Sequence, residues 1–178
     1  MTVRQIDALK ARILAELPTQ AKIAGADLAA LIKNRVVQTG KNAEGQAFSP
    51  YSEKQVPAYL YYGKSRSQQA EQRVRARAKK REGVSYREFR NLNNLNTDVK
   101  NFEFTGSMWR GVGVQEQTKQ GAVQVVVIDG DSQEVRNLLQ YATDAERISI
   151  IKPSKSELKT VSDNLGQWMA GVIKSELT

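Results

Sequence analysis

The chain contains no cysteine and no histidine. Without cysteine there is no disulfide, no thiol nucleophile and no thiolate metal site. Without histidine the commonest general base, the commonest zinc ligand and every Ser-His or Cys-His pair are lost as well. An enzyme built on this sequence would have to work with carboxylates and lysines, so the expected class is non-enzymatic, with no metal and no cofactor. Long apolar runs are also missing. No stretch reaches the roughly 20 apolar residues that a membrane span needs, and the opening MTVRQIDALKARILAEL mixes acids and bases throughout, unlike a secretory signal. The expectation is a protein made in a cytoplasm, with no membrane partner.

What is present is an uneven distribution of charge. The net charge is +8 over 178 residues. Between Lys64 and Arg90 lie ten basic residues and three acidic ones, Glu71, Glu82 and Glu88. That one segment therefore carries +7 and leaves about neutrality elsewhere. Like charges at this density repel one another unless a partner or a solvent shell screens them. The segment is rich in arginine, which suits bidentate pairing with phosphate or carboxylate.

Apolar spacing predicts helices at both ends. Ile6, Leu9, Ile13 and Leu17 recur at helical intervals. Pro18 is expected to interrupt, with Thr19 capping a second helix that runs to about Gln38 and stops at Gly40. Residues 40–63 have no sustained period and read as a long ordered loop. Residues 67–81 hold good helix formers but lack an apolar face, so a helix there needs to lie against something else. Asn91, Asn93, Asn94 and Asn96 mark a further irregular stretch. Alternation at 112–116 and 123–128, with a turn expected at 118–121, predicts a β-hairpin with one well-buried strand. Asp131 and Glu134 are expected to open a short helix to about Tyr141. Residues 147–152 are expected to form a third strand. Ser154 and Glu157 form a second capping box, followed by a final amphipathic helix through Leu158, Val161, Leu165, Trp168, Met169, Val172 and Ile173. The expected fold is α+β, with terminal helices packed on a small hairpin-based antiparallel sheet. It forms one domain over 1–178, whose core comprises 1–52 and 95–178 and whose basic, aromatic arm, 53–94, is inserted.

Other patterns resolve into ordinary structure. Gly63-Lys64-Ser65 is not a phosphate-binding loop, because Ala58 stands where the first glycine belongs. Gly111-Val112-Gly113 lacks the third glycine of a dinucleotide site. Asp129, Asp131 and Glu134 do not have the spacing of a calcium loop. Trp109 and Trp168 read as core residues, expected on one sheet face.

The order of parts resembles a known family. RVVQTGKNAEGQAFSPYS (35–52), LNTDVKNFEFTGSMWRGVGV (95–114), LLQYATDAER (138–147) and Ile-Lys-Pro-Ser (151–154) are similar to segments of the tail-completion, or head–tail connector, proteins of tailed bacteriophages, also called virion morphogenesis proteins. Gly40, Gly45, Phe48, Pro50 and Ser52 correspond to a G-x-x-x-x-G-x-x-F-x-P-x-S loop. Thr105 and Gly106 correspond to a turn into a strand, Tyr141 and Ala142 to a "YA" pair, and Pro153 to the proline before the last helix. The resemblance covers most of the chain outside 53–94.

The resemblance implies a structural role without a reaction. The chain is expected to form a homomeric ring, six- or twelve-fold, in the virion neck. Its partners would be itself, portal or adaptor and tail proteins, and the genomic DNA that passes through. The expected contact residues are Tyr51, Tyr59, Tyr61 and Tyr62 as packing anchors. Arg73, Arg75, Arg77, Lys79, Lys80 and Arg81 are the expected electrostatic contacts. An arm that docks on protein should be disordered in the free monomer, whereas an arm lining a lumen should bind DNA with steep salt dependence. The alternative is a sequence-tolerant nucleic-acid-binding protein using 64–90.

Overall fold

The computed structural model describes residues 3–103, 106–120 and 123–177. The expected α+β architecture is observed. Its first element departs from the expected pair of helices. A single helix, α1 (Val3–Thr39), runs for 37 residues with Pro18 inside it, about 55 Å at the usual rise. Thr19 is therefore a mid-helix residue and caps nothing. Proline removes one helical hydrogen bond and crowds the preceding turn, but α6 reaches back to Arg12 and Glu16 and α1 is buried from Gly25 onward, and that packing outweighs the local preference.

The hairpin consists of β3 (Val112–Gln120) and β4 (Val123–Gly130), paired antiparallel with an irregularity between Val114 and Glu116. Thr118, Lys119 and Gln120 are paired in the ladder, so the turn does not fall at 118–121 as expected; Gly121 lies outside the described residues. Nor is β4 well buried. Its described side chains from Val125 to Asp129 are half-buried or exposed, because only one face of the hairpin lies on α1. Gly25 makes that approach possible: a Cβ there would sit 2.5 Å from Val126 Cγ1 and 2.8 Å from Val114 Cγ2.

Three further expectations are corrected. The turn expected to lead into the hairpin is a short helix, α4 (Ser107–Gly111), entered through Gly106; Thr105 lies outside the described residues. The helix after the hairpin, α5 (Gln133–Glu146), is capped by Ser132, whose hydroxyl accepts from Val135 N, rather than by Asp131, and it outruns Tyr141. No strand forms at 147–152. Arg147 ends α5 in the left-handed region, and Ile148, Ile150 and Ile151 turn into the core. Their β-branched character serves packing there, with no ladder.

The main core joins Ile32 and Val36 of α1 to Phe48, Met108, Trp109, Val135, Leu139, Ala142 and Ile150. The last helix, α6 (Lys155–Leu177), lies antiparallel on a different face of α1, with Arg12 bonded to Glu176 and Trp168 Nε1 donating to Glu16. The two tryptophans therefore occupy separate places. Trp109 is in the main core, where its Nε1 donates to the Asn101 carbonyl at 2.9 Å. The capping box at Ser154 and Glu157 is observed in both directions, at 2.7 and 3.2 Å. Among the described residues, no helix is long and apolar enough to cross a membrane.

Candidate assembly interface

The inserted segment is a folded unit with its own small core in the single chain, so the expectation that a protein-docking arm is disordered before assembly is not met and any docking here uses a preformed surface. A two-residue strand, β1 (Val56–Pro57), pairs with β2 (Gly83–Val84). A 3-10 turn (Ala58–Tyr61), helix α2 (Gln68–Lys79) and helix α3 (Tyr86–Leu92) complete it. Ala58, Val74, Val84 and Phe89 are buried together, with Tyr61, Ala78, Tyr86 and Leu92 packed around them. The apparent absence of an apolar face on α2 is thus corrected. Ala70 and Val74 are enough, because small side chains let the helix sit close to the aromatic rings beneath it. Ser67 caps α2 and Ser85 caps α3.

One arginine binds this unit to the body. Arg90 is 1% exposed. Its guanidinium donates to the Asn96 carbonyl at 2.9 and 3.1 Å, the Glu103 carbonyl at 2.6 Å and Asn101 Oδ1 at 3.1 Å. It also stacks over the Tyr51 ring at 4.1 Å. Each of these partners is neutral. The cation is held by carbonyl dipoles and a π face, an arrangement that suits the planar, delocalised guanidinium and would not suit a lysine.

The four tyrosines expected as anchors divide into two kinds. Tyr51 is buried, and its hydroxyl donates to Asn101 Oδ1. Tyr61 stacks on Phe89 at 4.3 Å. These two hold the unit together. Tyr59 is 60% exposed, and Tyr62 lies exposed beneath Arg75. These two are available to a partner.

The six basic residues divide in the same way. Arg75 pairs with Glu71, and Arg77 pairs with both Glu82 and Glu88 at 2.8 Å. All three acids of the segment are used on the flanks of α2. Arg73, Lys79, Lys80 and Arg81 have no ion-pair partner among the described residues, and all are exposed. Helical spacing places Lys79 opposite Ala70 and Val74, with Arg73 and Lys80 together on one flank. Arg81 follows in the left-handed region, φ 57°, where Arg81 N donates to the Ala78 carbonyl and Glu82 N to the Arg77 carbonyl, the bonding of a Schellman cap. The outcome is an outward face with only positive charge.

A second feature lies between this unit and the body. An open groove of about 660 Å³ runs past Tyr51, Phe102, Met108, Leu138 and Tyr141. Ser52, Gly106, Tyr141 and Ala142, which come from three separate segments carrying the resemblance, all line it. Tyr141 is 76% exposed.

Sequence reasoning missed two polar hubs. Arg35 donates to Glu157 Oε1 at 2.8 Å and to the carbonyls of Lys41 and Lys152. It thereby ties the end of α1 to the start of α6. Burial works to raise the Glu157 pKa, but bonds from Arg35 and Ser154 outweigh it and leave the carboxyl below its ordinary value. Glu146 behaves alike: burial is outweighed by Lys100 and by Ser49. Only the capping box gave a sequence signal for either.

No family model, curated protein or solved structure matches this chain. Among the described residues, no group of three or more acids is placed to hold a metal.

Proposed function

We propose that the chain is a structural subunit of a tailed-phage neck, assembling as a homomeric ring that joins head to tail and lets DNA pass. The observation that carries this reading is the groove. Ser52, Gly106, Tyr141 and Ala142 are far apart in sequence, belong to the segments that resemble connector proteins, and line a single surface. The basic face of α2 would then meet an acidic surface of an adjoining ring component.

The test is a triple reversal, Arg73→Glu, Lys79→Glu and Lys80→Glu. These residues carry no ion pair among the described residues, so the variant should fold, with a melting temperature lowered only slightly by two acids at the end of α2, and fail to join heads to tails when supplied to particles lacking the protein. Normal particles from it would reject the reading. Arg75 and Arg77 are unsuitable targets, because reversing them breaks pairs within the unit.

A second reading, sequence-tolerant nucleic-acid binding, is favoured by one specific observation: the outward face of α2 holds cations and no acids. It requires the isolated protein to bind duplex DNA at low salt, with affinity falling steeply as salt rises. Indifference to DNA would remove it.

A further inference from the structure

Strand β4 has an unpaired edge. Asp131 N donates to the Gly111 carbonyl at 2.8 Å, and the ladder sets Val112 opposite Gly130 and Gly113 opposite Asp129. Antiparallel pairs alternate between those that exchange backbone bonds and those that do not. Asp129, Val127 and Val125 therefore bond across to β3, while Ile128, Val126 and Gln124 turn their backbone N–H and carbonyl groups outward. The extra residue at the irregularity, Gln115, belongs to β3, so the alternation along β4 is unbroken. At Gly130 the outward N–H donates to Asp129 Oδ1 at 2.7 Å. At Val126 and Ile128 the outward groups have no partner among the described residues.

Sheet edges are usually blunted by a charge, a proline or a bulge. The edge of β3 has two of these, with Gln115 interrupting it and Glu116 and Lys119 along the strand. The edge of β4 has none from 123 to 128. Those residues read Val-Gln-Val-Val-Val-Ile, without a charge, and five of the six are β-branched, the side chains that suit a sheet.

What such an edge takes is another strand, because a strand presents donors and acceptors at the matching repeat. The strand that fits is β4 of a second copy. It brings the same unpaired groups, so one contact satisfies both edges. Antiparallel pairing about a two-fold axis at Val126 sets Val126 opposite its own equivalent, and Gln124 of each copy opposite Ile128 of the other. Each of these pairs exchanges two backbone bonds. No charge meets a like charge across the junction, and the excess positive charge of the chain lies in 64–90. The midlines of the two hairpins would lie two strand spacings apart, about 10 Å. Helices pack at that distance, so one face of the joined sheet can carry both copies of α1.

We propose that two copies of this chain join through their β4 edges into one four-stranded antiparallel sheet. A two-fold contact pairs copies and goes no further, so the inference stands apart from the ring of the neck reading, which needs a different contact.

The experiment uses the full chain and measures mass by light scattering, with amide exchange as a second readout. Val126 meets Gly25 of α1, so Val125 and Val127 point to the other face, where Val127 is 38% exposed. In this register Val125 of each copy sits opposite Val127 of the other. Val127→Lys and Val125→Glu each set a charge against an apolar neighbour. The wild type is expected to have the mass of two chains, with the Val126 and Ile128 amides protected. Each variant alone is expected to be monomeric, with association weakened about tenfold or more and those two amides unprotected. A mixture of the two variants is expected to recover the dimer, because the introduced lysine and glutamate face each other only in this register. A monomeric wild type, unprotected Val126 and Ile128 amides in a wild-type dimer, single variants that associate like wild type, or a mixture no more associated than its parts would overturn the proposal. The two wild-type readouts hold whether or not a variant folds.

Discussion

Arg81 sits in a conformation that glycine occupies with little strain, at the end of a helix whose outward face it extends. A left-handed backbone costs a side-chain-bearing residue about 1–2 kcal/mol, and strain of this kind is retained where something else requires the side chain. Arg81→Gly is therefore expected to raise stability by about 1 kcal/mol in denaturant titration while weakening attachment to whatever acidic surface α2 meets. Glu146 and Glu157 set the acid limit. Both have folded pKa values below the ordinary 4.5. As pH falls, the unfolded chain takes up these protons first. Their contribution is therefore complete above pH 4.5 and is lost as pH falls through the folded values. Melting temperature should drop over that acid range. Glu157→Gln should be less stable than wild type near neutrality and show a shallower decline in acid.

At the scale of elements, what was legible in the sequence is what local chemistry decides. Helix α2 begins at its serine cap and ends close to where its composition changes. The capping box of α6 forms as its residues specify. Where tertiary packing decides, local signals mislead. Pro18 punctuates the sequence but not the helix, because α1 is sandwiched between the hairpin and α6. Ile148, Ile150 and Ile151 have strand character and no strand, because what they meet is a core and not a sheet edge. Arg90 gave no signal at all. An arginine in a basic run is read as one more surface cation, and only the fold reveals that its partners are carbonyls from residues 96 and 103. The candidate site was legible as a segment and not as a face. Sorting free from paired cations needed the positions of Glu71, Glu82 and Glu88. Restoring the helical hydrogen bond in α1 tests the account of that element: Pro18→Ala should stabilise the protein by about 1–3 kcal/mol, read as a higher denaturant midpoint. No gain would mean that the proline ring is itself needed for packing.

At the scale of the whole molecule, two cores of unequal size are joined through Arg87, Arg90 and the Tyr51–Tyr86 ring contact. The smaller core, around Val74, Val84 and Phe89, should open before the larger one. Amide exchange should therefore show residues 68–92 losing protection together, at a lower free energy than Ile32 and Val36 in α1. Phe89→Ala should cost about 3–5 kcal/mol within that unit and leave protection in α1 and α5 near wild type. Loss of protection throughout the chain would show that the cores fold only together. The chain crosses between the two at neighbouring points: Arg87 N donates to the Ser52 carbonyl, Arg87 also pairs with Glu53, and Arg90 grips Asn96. Segments whose two ends meet can be lost, lengthened or exchanged by recombination without disturbing the frame that carries them. On this architecture the basic unit is a replaceable module, and an unrelated small domain grafted between its two ends should leave the body folded.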